Sequence, residues 1–320
     1  MTLTVMQTTF RDRPIFLRSQ LQGILLPSTT PFDSNQNLDL AGLRANLQRW
    51  TKTGITGVVL LGSTGERVHL DEREYIEVIE SARREVADEF AFIVGAGQQS
   101  TIGTINEVKR AAEAGVDAVL VITPSFYRSA ITQETLFKHY NEIADAAPVP
   151  VILYSMPVLT GIKIETATIA RLSDHQNIIG VKDSSADVEG FKQTVELCPK
   201  EFAVMTGNGT ILLDALRAGA TGAILAVGCA VPEVCVEIMA AFGDGEDERA
   251  QLLQSKLTPL ATAVTTKYGI GGLKAALDMS GYVGGSVRAP LQSPTESAKL
   301  EIEQLLNEVK SVSEGNVVYL

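Results

Sequence analysis

Ile178-Ile179-Gly180-Val181-Lys182-Asp183-Ser184-Ser185 carries four uncharged residues into a lysine, and the fold of this chain can be read outward from it. A short run of Ile, Gly and Val without polar alternation reads as a strand covered on both faces, and such strands belong to parallel sheets. Alternate residues of a strand share a face, so Ile178, Gly180 and Lys182 are expected on one side. Lys182 then closes a buried strand, where an ammonium is expensive. The other eleven lysines fall where helices, loops or turns are expected, and there solvent covers the charge cheaply.

Seven similar runs, rich in Val, Ile, Leu and Ala, occupy 23–27, 57–61, 90–95, 117–123, 150–154, 202–206 and 222–227. Together with 178–182, their starts fall 34, 33, 27, 33, 28, 24 and 20 residues apart, room for one strand and one crossover helix each. Helical stretches lie between them, for example 38–53, 71–87, 101–114 and 133–146. Ser100 and Thr132 are candidate N-caps, and Gly54, Gly115 and Gly219 stand where helices end. Eight equally buried strands suit a closed (β/α)8 TIM barrel of the α/β class better than an open sheet.

About ninety residues follow the last strand and read as helices over 232–242, 246–265, 271–279 and 294–312. The expected layout is an N-terminal arm over 1–22, the barrel over 23–243, and a helical extension over 244–320 packed on the barrel at a subunit contact.

Composition limits the function. Of 320 residues, 45% are hydrophobic and 20% charged, as in soluble globular proteins. Lys and Arg number 27 against 38 Asp and Glu, a net charge of −11, so no nucleic-acid or anionic-membrane partner is expected. Cys198, Cys229 and Cys235 form no CxxC pair, and His69, His139 and His175 stand isolated, each expected as an ordinary surface or helix residue; neither a disulfide framework nor a metal site is expected. No nucleotide-binding glycine motif follows the first strand. No apolar run reaches the roughly 20 residues of a membrane span. A cytoplasmic location is expected. Arg11, Arg13 and Arg18 against the single acid Asp12 give residues 1–22 a composition like an organelle transit peptide, so a mitochondrial address is the alternative; a frayed arm is the plainer reading.

Barrel enzymes work at the end where their strands finish. Tyr154 is the fifth residue of its run and Lys182 the fifth of the next, which sets phenol beside amine if the register holds. A lysine attacks a ketone only as the free base, and an ordinary ammonium with a pKa of about 10.4 leaves roughly one in a thousand in that form near neutrality. Burial favours the free base. The resulting imine withdraws electrons and allows carbon–carbon cleavage without a metal, while a phenol can carry the proton. The plain alternatives are a lysine that reaches the rim or pairs with Asp183, and a tyrosine that only fills the core.

The second run ends in Leu60-Leu61-Gly62-Ser63-Thr64-Gly65-Glu66. Two glycines around two hydroxyl residues let the chain turn so that N–H groups converge on an anion, with Ser63 and Thr64 adding donors. The exit Thr206-Gly207-Asn208-Gly209 lacks bulk and leaves room beside Lys182. Amine, phenol and anion clamp together suit a 2-oxo acid.

These elements resemble a known family. Gly62-Ser63-Thr64-Gly65-Glu66, Tyr154-Ser155-Met156-Pro157 with Thr160-Gly161, and Gly180-Val181-Lys182-Asp183-Ser184 resemble, in this order, the dihydrodipicolinate synthase/N-acetylneuraminate lyase superfamily of class I aldolases. The resemblance, which runs from Gly23 to Leu291, implies a (β/α)8 barrel with a helical C-terminal region in a homotetramer or dimer, and no cofactor beyond an imine through Lys182. It implies that Lys182 binds pyruvate covalently, that Tyr154 relays the proton, and that Ser63 and Thr64 hold the carboxylate.

The synthase branch carries an arginine where this chain has Leu159, and a relay tyrosine where it has Phe126, with Tyr127 adjacent. His139-Tyr140, Ile143-Ala144-Asp145, Pro148-Val149-Pro150 and the segment from Tyr268-Gly269-Ile270 to Arg288-Ala289-Pro290-Leu291 look like eukaryotic 4-hydroxy-2-oxoglutarate aldolases. In that branch Ser184 and Gly207 also line the substrate site. Phe126 departs from this branch as well. The expected activity is cleavage of 4-hydroxy-2-oxoglutarate to pyruvate and glyoxylate. The alternatives are a dihydrodipicolinate synthase, a 2-keto-3-deoxy sugar acid aldolase, and a silent barrel that only binds a 2-oxo acid.

Overall fold

The computed structural model describes residues 13–313. Its eight strands are β1 (Ile24–Pro27), β2 (Gly57–Leu60), β3 (Ala91–Ala96), β4 (Ala118–Ile122), β5 (Val151–Ser155), β6 (Ile178–Asp183), β7 (Ala203–Thr206) and β8 (Gly222–Ile224). Each runs parallel to the next, and β8 pairs with β1 to close the barrel. The crossover helices begin and end as their sequences ask. Ser100 accepts the Gly103 N–H and Thr132 the Thr135 N–H, and Asp71 and Glu74 form a reciprocal capping box. Gly115 and Gly219 follow their helices with φ of 85° and 96°, a conformation that would strain any side chain.

Both faces of the strands are buried, which is why the runs do not alternate. One set, including Val58, Val94, Val121 and Leu153, packs against the helices. The other, including Leu25, Ile93, Leu120, Ile152 and Met205, fills the barrel. The helix Arg13–Gln20 and the turn after it contribute Leu17 and Leu21 to this inner cluster, so this part of the expected frayed arm is in fact an ordered element joined to the core. Arg11 and the rest of 1–12 lie outside the described residues.

β6 departs from simple alternation. Val151 pairs with Ile178 but Ile152 pairs with Gly180, so Ile179 is an extra, bulged residue. Ile178 consequently packs in the helix-facing layer, not on the face of Lys182 as expected, and Ile179 turns inward. β5 also starts one residue later than expected. These two offsets cancel, and Tyr154 pairs with Lys182.

After β8 come the helices Pro232–Gly243, Asp247–Thr262, Gly269–Met279 and Glu296–Ser313, with a π-turn over Ala263–Lys267. Leu253, Leu257 and Leu260 of the second, and Ile302, Leu306 and Val309 of the last, bury the apolar stripe that the helical period prescribes. No helix among the described residues is long and apolar enough to cross a membrane.

Candidate active site

The turn leaving β2 owes its shape less to its glycines than the sequence suggests. Left-handed backbone occurs at Leu61 (φ 56°) and Glu66 (φ 54°), not at Gly62 or Gly65. Such a conformation costs a side-chain-bearing residue about 1–2 kcal/mol, so neighbours must impose it. The glycines serve close approach instead. A Cβ on Gly65 would lie 2.9 Å from the Leu61 nitrogen, and one on Gly95 of β3 would lie 2.3 Å from the Leu61 oxygen. Gly65 and Glu66 N–H donate back to the Gly62 and Ser63 carbonyls, and the Thr30 hydroxyl donates to the Gly65 carbonyl at 2.7 Å. The turn is thereby closed around Ser63 and the buried Thr64.

Ser63 Oγ lies 3.0 Å from the Tyr154 hydroxyl, which joins the β2 turn to the end of β5. Lys182 is 4% exposed, and its Nζ stands 4.5 Å from the centre of the Tyr154 ring. The amine therefore rests against the electron-rich face of the phenol, an arrangement that also holds a cation. Asp183 turns away: its carboxylate accepts the Ser185 N–H at 2.7 Å, and no ion pair to Lys182 occurs among the described residues. Ser184 donates its N–H to the Ser155 carbonyl at 3.0 Å, and Gly207 donates to the Asp183 carbonyl at 2.7 Å. A Cβ on Gly207 would sit 2.6 Å from Lys182 Cε and 2.0 Å from Ser184 Oγ. Lys182, Tyr154, Ser63, Ser184 and Gly207 thus share one site at the strand ends.

Phe126 and Tyr127 do not join them within this chain. They stand 75% and 71% exposed, edge to face, on a loop whose Ser125 and Phe126 N–H groups donate to the Gln99 side chain. Leu159 is exposed on the short helix Pro157–Thr160 that follows Tyr154. No group of three His, Cys, Asp or Glu placed to hold a metal occurs among the described residues. His139 is buried rather than superficial; its Nδ1 lies 2.9 Å from the Thr101 hydroxyl, and burial lowers its pKa to about 4.

Lys274 corrects the expectation that every lysine but Lys182 is solvated. It is 1% exposed, less than Lys182. Its Nζ lies 2.6 Å from Glu66 Oε1, donates to the Ser286 carbonyl at 2.6 Å, and sits 4.5 Å above the Phe32 ring. Burial lowers its pKa, and the Glu66 carboxylate opposes that shift. The signal lay in the helical period: Lys274 falls one turn from Gly271 and Leu277 on the apolar stripe of its helix.

Comparison with known proteins places this site in context. Residues 20–309 match the model of the dihydrodipicolinate synthetase family. The 4-hydroxy-tetrahydrodipicolinate synthase of Methanothrix thermoacetophila is 33% identical over 91% of this chain and 98% of its own. A probable mitochondrial 4-hydroxy-2-oxoglutarate aldolase of Emericella nidulans is also 33% identical, over 91% of this chain and 96% of its own. Among solved structures, YagE of E. coli K12, a prophage protein of the dihydrodipicolinic acid synthase family in complex with pyruvate, superposes with a TM-score of 0.84. It is 28% identical, over 90% of this chain and 98% of that one.

Proposed function

Since the chain belongs to the dihydrodipicolinate synthetase family and is a carbon–carbon lyase, we propose that it is a Schiff-base aldolase that cleaves 4-hydroxy-2-oxoglutarate to pyruvate and glyoxylate. The observation that carries this reading is the buried Lys182 amine against the face of Tyr154, whose hydroxyl is in turn bonded to Ser63. The pyruvate bound by YagE supports a 2-oxo acid as the ligand class.

The chemistry follows from the geometry. Ser63 and Thr64 hold the substrate's C1 carboxylate. Lys182 Nζ attacks C2, and loss of water gives the protonated imine. Tyr154 takes the C4 hydroxyl proton, the C3–C4 bond breaks, and its electron pair enters the imine to form an enamine while glyoxylate leaves. Protonation at C3 and addition of water at C2 return pyruvate and the free amine. No metal or organic cofactor enters this sequence. The bond from Ser63 orients the phenol, and the missing side chain at Gly207 lets Lys182 Cε and Ser184 Oγ occupy the place a Cβ would take.

A second reading, condensation of pyruvate with an amino-aldehyde acid, is favoured by the name of the Methanothrix relative. Leu159, standing where the synthase branch carries arginine, favours the first; Phe126 departs from both branches and favours neither. Borohydride reduction with saturating pyruvate should add the mass of a 1-carboxyethyl group to the peptide holding Lys182. An unmodified peptide overturns both readings. Faster turnover with aspartate semialdehyde than with glyoxylate, in the condensation direction, decides for the synthase.

A further inference from the structure

The turn that presents Ser63 and Thr64 is gripped at its far end by groups the mechanism does not use. Glu66, left-handed at φ 54°, sends a buried side chain backward from the site. Its Oε1 pairs with the equally buried Lys274 Nζ at 2.6 Å; its Oε2 accepts the Arg288 N–H at 3.1 Å and lies 3.2 Å from His69 Nδ1. The Arg288 guanidinium binds both oxygens of Glu74 at 2.7 and 2.8 Å. Lys274 and Arg288 both lie over Phe32, at 4.5 and 4.3 Å, on the loop that follows β1. Arg67, next after Glu66, pairs with the buried Glu107. The turn is therefore fastened to residues that follow the barrel in sequence as well as to the barrel itself.

We propose that the Glu66–Lys274 ion pair positions the Ser63–Thr64 turn, so that the helices beyond the barrel set the affinity of the site for the carboxylate of a 2-oxo acid. This rests on the Schiff-base reading above. A left-handed glutamate does not hold itself, and removing one partner of a buried pair leaves the other charge uncompensated, which drives the segment to rearrange. Misplacing a binding group by about 1 Å costs up to about a hundredfold where the contact matters. Among the described residues no hydrogen bond or ion pair joins Glu66 or Lys274 to Lys182 or Tyr154, so loss of the pair should strike binding before chemistry.

The test uses the full chain, pyruvate and borohydride, reading the pyruvate concentration for half-maximal modification of Lys182. Lys274→Met and Glu66→Gln should each raise that concentration about tenfold or more, with nearly complete modification still reached at saturation. Should either variant fail to fold, the double variant, which buries no unpaired charge, carries the same expectation. A folded variant whose half-saturating concentration stays within twofold of wild type overturns the proposal. So does one whose maximal modification falls while that concentration is unmoved. Wild-type protein that is never modified sinks the Schiff-base reading instead.

Discussion

Gly207 leaves no space for a side chain because Lys182 and Ser184 already fill it, and this makes it a sensitive reporter on the site. Ser184 Oγ could rotate away from an added methyl group, but Lys182 Cε, at 2.6 Å, could retreat only by carrying Nζ away from the imine position. Gly207→Ala should therefore lower kcat about a hundredfold while the melting temperature changes little, measured by aldol cleavage and thermal unfolding. Normal kcat in that variant would mean that the amine works from another rotamer. Single residues differ greatly in how far the sequence reveals them. Lys182 was legible because a charge closing an apolar strand has few cheap explanations. Lys274 was not, because the group that makes its burial tolerable is Glu66, on an element far away in the chain. A partner brought up by the tertiary fold leaves no local trace, although the apolar stripe around Lys274 was a hint.

Strands and helices were legible where a local rule decides them. Apolar runs gave the eight strands, and Ser100 and Thr132 cap as their positions ask. The rule of alternation failed inside β6, where the bulge at Ile179 moves Ile178 to the outer layer yet leaves Lys182 opposite Tyr154. Likewise the β2 turn takes left-handed backbone at Leu61 and Glu66, residues that no turn rule selects, because neighbours impose it. The bulge gives a clean test of what sets the register at the mouth. Deleting Ile179 removes the extra residue while Ile152–Gly180 and Tyr154–Lys182 remain natural partners. Pyruvate trapping at Lys182 should survive the deletion, with stability lowered by about 2–5 kcal/mol for the lost core side chain. A folded deletion variant that is no longer trapped would show that the bulge itself aims the lysine.

Barrels of this kind separate chemistry, at the ends of the strands, from the packing that keeps them closed. The helix Arg13–Gln20 illustrates the second role by lending Leu17 to the inner core, while His139 shows how the packing layer acquires a pH dependence of its own. His139 lies on the helix Gln133–Ala146 and bonds to Thr101 on the preceding crossover helix, so a charge there would be buried between two helices. In the fold its pKa is lowered to about 4 by burial, whereas a free imidazole titrates near 6.5. Between those values the unfolded chain binds a proton that the folded chain refuses, and acid therefore favours unfolding. The stability due to the neutral ring is whole above about pH 6.5 and is lost as pH falls toward 4, by about 3 kcal/mol in all. His139→Gln, which cannot take up the proton, should remove that part of the slope. The stability gap between wild type and variant in urea unfolding should then shift in the variant's favour by about this amount from pH 7 to pH 4. A gap that stays constant over that interval would mean that the imidazole is already solvated or charged in the fold. Cleavage measured at each pH separates the two roles, since His139 lies outside the group formed by Lys182, Tyr154 and Ser63.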